Sequence, residues 1–114
     1  MIVTIILVQQ GQVLLTKTES ESAEQFSLPS IHAPSTASAH DTAMEWIRTT
    51  HGLETVVDAY REIDRDRSVL VLSTDSDAPL RVKDKLEIAR AFPREALTLL
   101  SSAKDRRMVS ELLL

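Results

Sequence analysis

The sequence contains no cysteine, which removes disulfides, thiolate metal ligands and cysteine nucleophiles together and suits a reducing compartment. Cytoplasm is the expected location. Only two glycines occur, Gly11 and Gly52, too few for a glycine-rich loop that cradles phosphates. Long apolar runs are missing as well. Ile2 to Val8 is too short to span a bilayer and no basic segment precedes it, so it reads as a strand, and no membrane partner is expected. Basic residues number 13 against 17 acidic ones, and the net charge of −4 repels polyphosphate backbones at long range, so nucleic acid is not an expected partner. The one basic cluster, Arg81, Lys83 and Lys85, is interrupted by Asp84 and reads as a solvated strand edge.

What is present is ordinary for a folded chain. With 114 residues, 43% apolar and 26% charged, residues 1–114 fit a single domain. A chain of this size buries roughly two-thirds of the surface its unfolded form exposes and needs no staple. Ile2 to Val8 and Gln12 to Lys17 are β-rich and are separated by Gln9, Gln10 and Gly11, which predicts an opening hairpin. Thr18 to Gln25 reads as a loop. Phe26-Ser27-Leu28-Pro29 should be extended, because the residue before a proline avoids the helical region, and Ser30 to Ser38 reads as a second loop.

Ser38 and Asp41 have capping-box spacing, Ala39, Ala43 and Ile47 recur every four residues, and Gly52 follows, so this stretch predicts a helix. Val56 to Ile63, Ser68 to Ser73 and Leu86 to Phe92 predict strands, arranged as a meander. Pro93 suits the first turn of a helix over Arg94 to Leu100, and Ser102 with Asp105 caps a last helix ending in Leu112-Leu113-Leu114. Three consecutive leucines cannot share one helical stripe, so that end should be covered by the body of the domain or by a second copy.

This order of elements resembles the Nudix hydrolase family over nearly the whole chain. Phe26-Ser27-Leu28-Pro29 stands where that family writes an aromatic residue, a variable one and Leu-Pro before paired glycines. Thr42-Ala43 through His51-Gly52-Leu53 has the length and ending of the Nudix helix, and Glu87 through Leu97 looks like its late strand and following helix. The resemblance implies an α+β fold, an α/β sandwich whose mixed sheet is flanked by helices.

Anchored on Gly52 and Leu53, the family's signature falls on this chain without a gap. Its first glycine lands on Ile31, its first Glu on Ala37, its Arg on Glu45, the next Glu on Trp46, and its Glu pair on Thr49 and Thr50. Only Ile47, Gly52 and Leu53 keep their type. In such enzymes clustered carboxylates hold divalent metal, which activates water and offsets developing charge. Here those positions offer a methyl, an indole and two hydroxyls, and the Arg position has reversed its sign. The residues that pack and end the helix persist while the ligands do not.

The resemblance therefore implies a catalytically inactive module that binds a ligand or a protein partner, with no catalytic residues, no metal site and no cofactor. Its ligand cleft would involve Trp46, Thr49, Thr50, Glu45 and Glu87, and its partner would be a nucleotide-derived small molecule, a second copy or another protein. Trp46 either stacks a base or fills the vacated cleft. The alternative is a divergent metal-dependent hydrolase of nucleoside diphosphate derivatives drawing on Asp41, Glu45, Asp84 or Glu87. His32, His40 and His51 are too scattered for zinc and read as surface or capping residues. Asp64-Arg65-Asp66 lacks the glycine and distal Glu of a calcium loop, and no serine sits in a nucleophile elbow.

Overall fold

Two apolar strands lie side by side at the centre of the molecule. The computed structural model describes residues 1–18, 26–79 and 86–114, with the side chains of Thr18, Thr36, Leu86 and Glu87 outside the description. The loop expected over Thr18 to Gln25 falls mostly outside these ranges, and Arg81, Lys83, Asp84 and Lys85 fall wholly outside them. The elements run β1 (Ile2–Gln9), β2 (Gln12–Thr18), β3 (Ser30–His32), a short 3-10 turn (Thr36–Ser38), α1 (Ala39–His51), β4 (Val56–Asp64), β5 (Arg67–Thr74), β6 (Leu86–Ala91), α2 (Pro93–Leu99) and α3 (Ala103–Leu113). The six strands form one mixed sheet in the order β4-β5-β1-β2-β6, with β3 paired to the first half of β1.

β1 and β5 run parallel from Ile2↔Arg67 to Gln9↔Thr74. Both are buried on two faces, which explains why Val3, Ile5, Ile6, Leu7 and Val69 to Leu72 read as nearly unbroken apolar runs. Val3, Ile5, Leu7, Leu14, Leu70 and Leu72 pack beneath α1 through Ala39, Ala43 and Ile47. On the other face Ile6, Val13, Leu15, Val69 and Val71 pack beneath α2 and α3 through Ala96, Met108 and Val109. The result is a sheet between two helical layers, an α+β sandwich.

The expected hairpin forms with Gln10 and Gly11 at φ of 54° and 77°, the left-handed pair that a two-residue turn between twisted strands requires. Gly52 ends α1 at φ 75°, its N–H donating to the Arg48 carbonyl at 3.0 Å. Ser102 caps α3 by accepting from the Asp105 N–H.

Three local expectations are corrected. Ser38 does not cap α1 with its side chain, because its hydroxyl donates to the Ser35 carbonyl at 3.1 Å and the 3-10 turn runs directly into the helix. Ser30 to Ser38 is not all loop, since Ser30–His32 pairs with the edge of β1 that β2 leaves open. The later strands are not a meander: β4 and β5 form a hairpin, but β6 crosses to the opposite edge beside β2. At the chain end, Leu112 and Leu113 pack against the α2/α3-side core, while Leu114 is 57% exposed.

Candidate functional site

α1 turns its small and aliphatic positions inward, and this fixes where the other side chains go. Thr50 is buried, and its hydroxyl has no hydrogen-bond partner among the described residues. Thr49 is exposed, and its hydroxyl donates back to the helix's own carbonyls at Glu45 (3.0 Å) and Trp46 (3.3 Å). Glu45, also exposed, pairs with Arg48, whose guanidinium reaches Glu54 at 3.8 Å. The helix therefore sends Thr49 and Thr50 to different surroundings, and Glu45 to an outer groove shared with Asp41, Met44 and Glu54.

Trp46 is partly buried against the α1-side core and meets His51 edge-on, with ring centroids 5.4 Å apart. It also lines an open groove of about 220 Å³ with Thr16, Leu28, Pro29 and the serines on either side of them, Ser27 and Ser30. The indole thus packs on the core and keeps part of its surface on this groove. Thr16, beside it, is in register with Ile88, whereas Glu87 is in register with Lys17. Lys17 lies 5.4 Å from the Phe26 ring, and Phe26 packs with the core on the α2/α3 side.

His51 is a correction to the sequence reading, being fully buried rather than a surface or capping residue. The T-shaped contact with Trp46 makes it part of the wall behind the groove. His32 and His40 are exposed as expected, His40 meeting Tyr60 at 4.9 Å.

Sequence reasoning missed two polar anchors. Gln9 is 1% exposed, yet its amide nitrogen donates to the carbonyls of Ser76 and Ala78, both at 2.9 Å, and its amide oxygen accepts from Arg90 at 2.9 Å. The one available signal was a glutamine closing an apolar strand. Asp105 on α3 accepts the Leu28 N–H at 3.1 Å and so fixes the lip of the groove. Burial raises its carboxyl above the ordinary range, partly countered by that hydrogen bond and by the Lys104 charge.

The fold family implies divalent metal, and the donor set on α1 does not fit it. A hard cation wants several converging oxygens. Of the signature positions on α1, the three aligned with ligands are an indole, a hydroxyl folded back on its helix and a buried hydroxyl, while Glu45, aligned with the arginine, is a carboxylate held by Arg48. Among the described residues no group of three or more His, Cys, Asp or Glu side chains could hold a metal ion, and no helix is long and apolar enough to cross a membrane.

No protein-family model matches the chain, and no curated protein matches it in sequence. Solved structures do match its shape. An Ap4A hydrolase from C. elegans aligns with a TM-score of 0.74 at 8% identity, covering 97% of this chain and 94% of that one. A protein of Listeria monocytogenes described as a Nudix hydrolase aligns at 0.71 and 12% identity, covering 97% and 90%. A Sinorhizobium meliloti protein described as an oxidoreductase aligns at 0.68 and 19% identity over 96% of this chain, which spans only 37% of that longer one. At such identities a likeness carries the fold alone, and it is the one expected from Leu28-Pro29 and the helix closing in Gly52-Leu53. The chain has the fold of the Nudix hydrolases.

Proposed function

We propose that this chain is a non-catalytic Nudix-fold module that binds a nucleotide-derived small molecule in the groove beside Trp46. The observation that carries this reading is the fate of the signature positions on α1. Thr50 is sealed in the core, the Thr49 hydroxyl turns back on α1, Glu45 is tied to Arg48, and Trp46 gives the groove an aromatic wall instead of a carboxylate. An indole with a free edge or face offers stacking to a base, worth about 1–3 kcal/mol per base in other proteins. Fold likeness by itself names no ligand, since one scaffold hosts many functions.

The reading is tested with the chain's only tryptophan as reporter. Acrylamide should quench Trp46 in the free protein, and ADP or a nucleotide sugar should protect it. Quenching that is equal with and without every nucleotide tried would sink the ligand reading and leave a protein partner or second copy as the module's occupant.

A further inference from the structure

A cleft without metal needs another positive charge if it is to hold a phosphate, and the Nudix-helix arginine position here carries Glu45. We infer that Arg90, aimed by the buried amide of Gln9, is the anion-binding group of this cleft and takes the phosphate or diphosphate end of the ligand. The inference rests on the ligand reading above and adds to it the residue and the chemistry.

Arg90 is in register with Leu14, which belongs to the core beneath α1, and Ile88, two residues earlier, packs on that same core. Side chains two apart on a strand share a face. Arg90 therefore emerges on the α1 side of the sheet, one strand repeat of roughly 7 Å from the Ile88–Thr16 pair beside Trp46. It is exposed at the surface.

Both amide hydrogens of Gln9 are spent on the Ser76 and Ala78 carbonyls, so its oxygen must face the guanidinium. Burial at 1% exposure leaves that amide no freedom to turn away. Among the described residues Arg90 is thus held through one nitrogen, which leaves the other donors of its fork for a second acceptor.

Charge decides the chemistry. Arg48 pairs with Glu45, and Arg61 and Arg107 share Glu111, so carboxylates offset part of their field. Arg90 is held by a neutral amide, and among the described residues no carboxylate forms an ion pair with it. An amide orients a guanidinium without neutralising it, and a planar fork with spare donors matches phosphate oxygens. Asp75 and Asp77, on the loop that Gln9 grips, are exposed.

The test titrates inorganic pyrophosphate into the protein in EDTA at low ionic strength, followed by amide NMR shifts. The wild type should bind with shifts centred on Gln9, Arg90 and the 76–78 loop. Arg90→Met should weaken binding at least tenfold, Arg90→Lys should fall between, and Gln9→Met should weaken binding although Arg90 is intact, with the fold of each checked by circular dichroism. Absence of binding to wild type, or equal binding to Arg90→Met, overturns the assignment. Adenosine, which lacks phosphate, separates the two claims: protection of Trp46 that survives in Arg90→Met upholds the ligand cleft even where Arg90 fails. Pyrophosphate binding lost in Arg90→Met without any adenosine effect upholds Arg90 and removes the base-stacking role.

Discussion

Individual side chains carry the most exacting consequences. Thr50 holds a hydroxyl in the core with no partner among the described residues, and an unpaired buried polar group costs about 1–3 kcal/mol. Thr50→Val keeps the shape and removes the hydroxyl, so urea unfolding should show a gain of about 1 kcal/mol. A loss would mean the hydroxyl has a partner in solution. Trp46 gives the opposite case. It is packed on the core but not sealed in it, so Trp46→Ala should cost about 3 kcal/mol, the low end for emptying an aromatic site, and should also weaken ADP binding followed by amide NMR shifts. A cost above 5 kcal/mol with unchanged ligand behaviour would make the indole a plug rather than a platform. At this scale the sequence was least legible. Register with Gly52 showed which ligands were missing, but nothing in a linear pattern said that Thr49 and Thr50 would part company, that His51 would be buried, or that Gln9 would meet Arg90 across the sheet. Those outcomes depend on contacts between residues up to 81 positions apart.

Elements were read more securely, because their signals are local. The opening hairpin, the end of α1 at Gly52, Pro93 in the first turn of α2 and the Ser102 cap all follow from turn and capping chemistry within a few residues. Two of the misreadings share a cause. β3 is three residues long and exists because β1 offers an open edge, and β6 finds β2 rather than β5, so both depend on partners far away in the chain. Two element-scale predictions follow from the same chemistry. Gly52→Ala forces a Cβ into the left-handed region and should cost about 1 kcal/mol by thermal unfolding, with no effect on ligand binding.

The second concerns the Asp105 tie between α3 and Leu28. Asp105→Ala strands a buried N–H and should cost about 1–2 kcal/mol, whereas Asp105→Asn still accepts that hydrogen bond and should be near neutral at pH 7. Burial raises the native carboxyl above its unfolded value, so the native state favours its protonated form. The Asp105 contribution is then fullest below the unfolded carboxylate pKa and declines as pH rises through the raised native one. Wild-type stability minus that of Asp105→Asn should fall across that window. A difference that rises with pH would reverse the assignment of burial as the dominant cause.

The whole molecule has the Nudix-type sandwich, while the donor set on α1 does not fit a divalent metal. Both cores form from apolar positions, and Trp46, at one of the signature's ligand positions, adds an indole to the packing on the α1 side. Millimolar Mg²⁺ should therefore leave the melting temperature unchanged, since only a ligand that binds the native state raises its stability. Turnover tests the central claim most directly. Dinucleoside polyphosphates, nucleoside triphosphates, ADP-ribose and nucleotide sugars, incubated with the protein and Mg²⁺ or Mn²⁺, should yield no phosphate or nucleoside monophosphate above a protein-free control. Release that scales with protein concentration and disappears in Glu45→Gln or Glu87→Gln would contradict the account and make this chain a divergent hydrolase.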